Sequence, residues 1–209
     1  MHTVKRAIIM AAGFGSRMQP VTLTTPKPLV KVNGVRMIDT VIEGLHHNGI
    51  QEIYVVAGYL KEQFYELETQ YPGVTVIENP YYDTCNNISS LYMARRHLDD
   101  VIILDGDQMI YNDVVLRPEF ERSGYNCVWT DSETDEWLLT LEDGIVTSCS
   151  RTGGASGWQL YSISRWTKED GEKLGIMEMN KGDIIEIDDI KELAEIDPTY
   201  HSYVKGGNA

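Results

Sequence analysis

Positive charge is scarce in this sequence: 18 Lys and Arg stand against 32 Asp and Glu in 209 residues, a net charge of −14. A nucleic-acid-binding face needs clustered cations opposite the phosphates, so the charge argues against that class. Cysteine is scarce too. Cys85, Cys127 and Cys149 form no CxxC pair and cannot all pair with one another, so reduced thiols in a cytoplasmic setting are expected. No long hydrophobic run is present. The apolar stretch Ala7–Ala12 is too short for a signal core with its cleavage region, or for a membrane span, and reads as a buried first strand. No membrane insertion is expected. Repeats, low-complexity tracts and linkers are also lacking, which predicts a single domain over residues 1–209. GxxxxGK[ST] is absent, and the dinucleotide fingerprint fails because Met18 stands where a glycine is required.

What is present is an ordinary globular composition, 42% hydrophobic with 18 glycines, in a clear order. Ile38, Val41, Ile42 and Leu45 recur at helical spacing, and Gly49 is placed to stop that helix. Leu60, Phe64 and Leu67 mark a second helix, and a third is expected from about Asn87 to His97. Between them lie short continuous apolar runs at 53–57, 74–77 and 101–104. Buried strands separated by amphipathic helices imply a parallel sheet with right-handed crossovers, whose ligands sit at the carboxyl ends of the strands. The second half changes to shorter strands around 127–129, 137–141, 145–147 and 159–163, with Asp143-Gly144 as a tight hairpin turn. Thr167 to Asp170 reads as a helix cap, 184–187 as a late strand, and Ile190, Leu193 and Ala194 as a terminal helix. The expected fold is a three-layer α/β domain with a mostly parallel, mixed central sheet and a small β excursion.

The chemistry concentrates at strand ends. Ala11-Ala12-Gly13-Phe14-Gly15-Ser16-Arg17 follows the first strand, where glycines let backbone N–H groups approach a polyphosphate. Lys27 lies ten residues after Arg17, with Pro26 and Pro28 restricting the backbone on either side. A plain structural turn is the alternative. Asp105-Gly106-Asp107 follows another strand and offers the hard oxygen ligands that Mg²⁺ prefers, unless it is a solvated turn. Asp188 closes the late strand as a further candidate ligand, while its neighbour Asp189 could cap the last helix. Asn86, Asn87, Ser89 and Ser90 cluster at the start of the third helix, where capping is the competing role.

These residues resemble a known family. The glycine loop with Thr25-Pro26-Lys27-Pro28-Leu29 is similar to the activation motif of nucleotidyltransferases of the sugar-phosphate and choline-phosphate cytidylyltransferase type. The segment Asn86-Asn87-Ile88-Ser89-Ser90-Leu91-Tyr92 resembles the base-recognition segment of bacterial phosphocholine cytidylyltransferases. The resemblance implies that the loop, with Ala11, Ala12, Gly13, Gly15 and Ser16, cradles the phosphates of CTP while Arg17 and Lys27 neutralise them. It further implies that Asn87 and Ser90 read the base, that Asp107 and Asp188 hold Mg²⁺, and that Asp105 supports them. Asp135-Glu136-Trp137 resembles a Glu-Trp pair whose indole faces a quaternary ammonium, a cation that aromatic faces and carboxylates suit. Packing beneath the β excursion is the alternative for Trp137, and packing is the expected role of Trp129, Trp158 and Trp166. The family's longer stretch before the last strand, with a Tyr-Trp-Asp segment, has no counterpart where Leu174 meets Gly175.

The implied reaction moves a cytidylyl group from CTP to phosphocholine with release of pyrophosphate. 2-Aminoethylphosphonate or a sugar 1-phosphate are alternative acceptors. A catalytically silent nucleotide-binding module is the alternative outside the enzyme class, and the joint presence of Arg17, Lys27, Asp107 and Asp188 speaks against it.

Overall fold

Every second residue of the first strand faces the same helical layer, and this alternation organises the molecule. The computed structural model describes residues 1–85, 87–170, 175–178, 184–187 and 189–204, with 175–178 and 184–186 as backbone. In strand β1 (Arg6–Ala11), Ala7, Ile9 and Ala11 point to one side while Ile8 and Met10 point to the other. The first side is covered by helix α1 (Met37–His47), which buries Ile38, Val41, Ile42 and Leu45 as its spacing predicts. Gly49 ends that helix at φ +79°.

Three strands lie parallel to β1 or to its neighbours. β2 (Glu52–Ala57) pairs with β1 and contributes Ile53, Val55 and Ala57 to the α1 layer. The chain then makes a 3₁₀ turn at Lys61–Phe64 and enters α2 (Glu66–Gln70), so the expected second helix is split in two. Strand β3 (Val74–Glu78) pairs with β2. Helix α3 is shorter than expected, Ile88–Met93, and a 3₁₀ turn at Arg95–His97 replaces its last part. Arg95 donates to the Tyr92 carbonyl at 2.7 Å and lies over the Tyr92 ring, which favours the tighter turn. Strand β4 (Val101–Asp105) then pairs with the free edge of β1.

The second half is antiparallel apart from one strand. After β5 (Gln108–Ile110) come β6 (Gly124–Thr130), β7 (Leu138–Glu142), β8 (Ile145–Ser150) and β9 (Gly157–Trp166). Asp143 and Gly144 join β7 to β8 with φ of 51° and 73°, the positive values that this tight turn demands. The ten-residue β9 pairs with β4 through Ser164–Trp166 and with β7 through Trp158 and Gln159, so it carries the core sheet into the excursion. The sheet order is β8-β7-β9-β4-β1-β2-β3. β6 lies on the other edge of β9, and β10 (Gly175–Glu178) runs parallel to β6. Arg165, 1% exposed, donates to the Val115 and Arg117 carbonyls and to Asn126 Oδ1, fastening β9 to β6 and the turn before it. Burial pushes its guanidinium down to about 10.

β11 (Ile184–Glu186) pairs with β5, with Glu186 opposite Gln108, and α4 (Ile190–Ile196) follows. Asp189 caps α4, accepting from the Lys191 and Glu192 N–H groups at 2.7 and 2.9 Å, so the capping alternative is realised. The cap expected at Thr167–Asp170 is not formed among the described residues, which make a turn there. Thr167 N–H instead donates to Ser123 Oγ, whose hydroxyl donates to Asp170. Among the described residues no helix is long and apolar enough to cross a membrane.

All three cysteines are free, with Cys85 and Cys149 exposed and Cys127 buried. Burial pushes the Cys127 thiol up to about 12, so almost no thiolate forms there near neutral pH. Iodoacetamide at about pH 8 is therefore expected to label Cys85 and Cys149 of the native protein, with Cys127 reacting after denaturation. Peptide mass spectrometry reads the result; labelling of native Cys127 at the rate of the other two contradicts this packing.

Candidate active site

The loop after β1 turns sharply because Gly15 takes φ +63°. A methyl group at that position would lie 3.0 Å from Thr22 Cγ2 and 3.1 Å from Lys27 Cβ. Thr22 closes the loop by donating to the Gly15 carbonyl at 2.8 Å, and the buried Met18 anchors the turn that follows. The lysine segment is built the same way. Pro26 enters extended, Lys27–Leu29 forms a 3₁₀ turn, and Leu29 and Val30 donate back to the Pro26 and Lys27 carbonyls. Met18, Val30, Val32, Met37, Met109, Ile187 and Leu193 pack into one cluster, seating both segments on α4.

Gly106 brings the aspartates to the same place. Its N–H donates to the Met10 carbonyl, and a methyl there would lie 3.0 Å from Ile9 Cγ2 and 3.2 Å from Pro28 Cβ. The second proline thus abuts the Asp-Gly-Asp turn. Lys27, 7% exposed, places its ammonium 2.6 Å from Asp107 Oδ2. A cavity of about 300 Å³ opens above this pair. Ala11, Ala12, Gly13, Gly15, Ser16 and Arg17 form one wall, and Lys27, Asp105 and Asp107 form another. Asn87 and Ser90 complete it, so the loop, the two cations, Asp105 and Asp107, and the two residues expected to read the base meet in one space.

At the helical side, Asn87 has α-region dihedrals and makes no capping hydrogen bond, so the capping alternative does not apply to it. Asn86 lies outside the described residues. Ser90 is buried, and it shares with Ser89 a partner that sequence reasoning missed: the Asn79 side chain donates to Ser89 Oγ at 2.9 Å and to Ser90 Oγ at 3.0 Å. Asn79 directly follows β3, at the carboxyl end where ligands gather, and that position was the available signal.

A second cavity of about 410 Å³ shares Arg17, Lys27, Asn87, Asp105 and Asp107 with the first and adds Glu136, Trp137, Leu160 and Ser162. Two backbone clips hold this wall. Thr134 and Gly154 exchange N–H···O bonds of 3.0 and 2.9 Å, and the Trp137 carbonyl accepts from Leu160 N–H at 2.9 Å. The Trp137 indole is 43% exposed, and the Arg151 guanidinium sits 4.7 Å above its ring. One indole face therefore already meets a cation of the chain itself. Trp166 packs edge-on against Tyr125, as expected for a packing residue. Trp129 departs from that expectation: it is 56% exposed, on an outward position of β6, with Trp158 against its ring.

Asp105 and Asp107 are carboxylates on a rigid strand end, the donor chemistry that a hard divalent cation uses alongside phosphate oxygens. Among the described residues no three His, Cys, Asp or Glu side chains cluster closely enough to hold a metal by themselves. Asp188 lies outside the described residues.

Gly15→Ala forces an L side chain into left-handed backbone, a strain of about 1–2 kcal/mol, and crowds Thr22. Nucleoside triphosphate binding is expected to weaken at least about tenfold while the fold survives, as titration calorimetry and thermal melting will show. Lys27→Ala is expected to lower kcat/KM by about 10²–10³. Asp107 is 29% exposed and can hydrate when the lysine is removed, so the melting temperature separates loss of turnover from loss of fold.

Comparison with known proteins agrees with this geometry. The family model for the MobA-like NTP transferase domain matches residues 7–162. A 2-aminoethylphosphonate cytidylyltransferase of Lancefieldella rimae is 41% identical over 170 residues, covering 80% of this chain and 69% of the relative. A choline-phosphate cytidylyltransferase of Streptococcus pneumoniae is 36% identical over 169 residues, covering 81% of this chain and 73% of the relative. The solved structure of the CTP:phosphocholine cytidylyltransferase LicC from S. pneumoniae superposes with a TM-score of 0.86 at 29% identity, covering 94% of this chain and 99% of that one. The fold, the strand-end cavity and the match over most of the chain lead to one assignment: this chain belongs to the MobA-like NTP transferase family and is a nucleotidyltransferase.

Proposed function

We propose that the chain transfers the cytidylyl group of CTP to a small phosphate or phosphonate bearing an ammonium group, as a single nucleotidyltransferase domain over residues 1–209. The observation that carries this reading is the pair of contiguous cavities sharing Arg17, Lys27, Asn87, Asp105 and Asp107. A nucleotide in the first and an acceptor in the second meet where the cations and carboxylates lie. An acceptor oxygen attacks the α-phosphorus, the bond to the bridging oxygen breaks, and pyrophosphate leaves. Phosphates and phosphonates are already ionised near neutral pH, so no general base is needed and catalysis reduces to alignment and charge neutralisation.

Lys27 and Arg17 take the charge of the α-phosphate and of the leaving pyrophosphate. Asp107, supported by Asp105, would hold Mg²⁺, and Asp188 is assigned with it on its sequence pattern. Glu186, two residues before Asp188, pairs with Gln108 beside Asp107, which supports that assignment. When bound, Mg²⁺ supplies additional positive charge to the phosphate oxygens. Asp107→Asn is expected to raise the Mg²⁺ concentration for half-maximal activity several-fold, read from metal titrations of the initial rate.

Between acceptors, we rank a primary ammonium, as in 2-aminoethylphosphonate, ahead of the phosphocholine that the Glu-Trp resemblance implies. Glu136 and Ser162 line the cavity beside Trp137, oxygen-bearing side chains of the kind that pair with a primary ammonium. A trimethylammonium depends on aromatic faces, and one face of Trp137 carries Arg151. The 41% identical relative named for 2-aminoethylphosphonate supports this order. Phosphocholine is the second reading, carried by the exposed remainder of the indole and by the likeness to LicC.

A pyrophosphate-release assay with CTP and each acceptor tests the proposal. Faster turnover of 2-aminoethylphosphonate is expected, with Trp137→Ala raising the phosphocholine KM by about threefold to thirtyfold and changing the phosphonate KM less. Preference for phosphocholine reverses the order of acceptors, and turnover of a sugar 1-phosphate above both removes the ammonium reading.

A further inference from the structure

We propose that Asn79 is a positioning residue that fixes the hydrogen-bond polarity of the base-reading wall, making Ser90 a donor toward the nucleotide. This rests on the CTP reading above. Asn79 is 2% exposed, and its own N–H donates to the Ala57 carbonyl at 2.8 Å, tying it to the end of β2. Its side-chain oxygen accepts the Tyr81 backbone N–H at 2.9 Å. A backbone N–H can only donate, so the amide has one orientation: oxygen toward Tyr81, NH₂ toward the serines. The two amide protons then go to Ser89 Oγ and Ser90 Oγ.

The consequence for Ser90 is chemical. A hydroxyl oxygen that accepts from the amide retains its own proton to give. Among the described residues the Ser90 hydroxyl donates to no protein acceptor, and Ser90 lines the nucleotide cavity. The wall thus presents a donor. At position 3 cytosine has an acceptor nitrogen whereas uracil carries N–H, so the Ser90 donor, directed at position 3 in this proposal, favours cytosine over uracil. The neutral amide of Asn79, itself never in contact with the base, enforces that choice.

The test uses the full chain and compares kcat/KM for CTP and UTP with one acceptor. Asn79→Asp keeps the size and still accepts from Tyr81 N–H, but has no proton for the serines, so their hydroxyls turn to donate to it. The CTP:UTP ratio of kcat/KM is expected to fall at least about tenfold, mainly through the KM for CTP, with the acceptor KM unchanged. In a Ser90→Ala background the same Asn79→Asp change is expected to shift the ratio less than about twofold. An unchanged ratio in a folded Asn79→Asp protein overturns the proposal, and so does an equal shift in both backgrounds. If Asn79→Asp fails to fold, Ser90→Ala alone decides: it must lower the ratio, and a folded variant with the wild-type ratio overturns the proposal. A wild-type enzyme that prefers a nucleotide other than CTP overturns the cytidylyl reading itself, which separates that failure from failure of the Asn79 assignment.

Discussion

The contact between Lys27 and Asp107 is the constraint around which the site is arranged. In a chain with a net charge of −14, a buried lysine meets a carboxylate readily, and its geometry decides which one. That geometry is local. Pro26 and Pro28 bracket a 3₁₀ turn, Gly106 allows Pro28 and Ile9 to press against the aspartate turn, and the ammonium meets one carboxylate at 2.6 Å. The pair joins a loop that leaves the sheet after β1 to the end of β4, so the two sides of the cavity hold their spacing before any ligand arrives. Preorganised charge of this kind is what a phosphoryl-transfer site depends on.

Much of the fold was legible because it rests on local periodicity. The alternation of β1, the helical spacing of α1 and the positive φ of Asp143-Gly144 each follow from a few neighbouring residues. So did the approach of Arg17, Lys27, Asp105 and Asp107, since glycines and prolines at strand ends mark where the backbone must turn tightly. The less legible features are contacts between distant segments. Asn79 meets Ser89 and Ser90 through a side-chain amide, and no repeat or spacing announces it. Arg151 reaches Trp137 across the hairpin and covers one face of the indole. The shortened α3 and the absent cap at Thr167 have the same origin: Arg95 and Ser123 supply partners that a helical pattern does not reveal.

The two cavities are built by different means. The first stands on parallel strands buried in the core, with β1 flanked by β2 and β4. The wall that carries Glu136 and Trp137 stands on an antiparallel hairpin that meets the core through β9. Gly153 is part of that attachment, since a methyl group there would fall 1.8 Å from the Thr134 carbonyl oxygen. The two sides thus differ in how much of the molecule must change when a residue changes.

That long strand β9 has a consequence for how such a chain diversifies. β7 joins the sheet at Leu138 and Leu139, beyond the stretch Ser164–Trp166 that pairs with β4. Changes between residues 131 and 156 that keep Gly153 and the buried Leu138 and Leu139 can therefore leave the register of the central strands undisturbed. A laboratory recombination at the two ends of this segment has a ready-made seam, since the lining it carries, Glu136 and Trp137, belongs to the second cavity and not to the first.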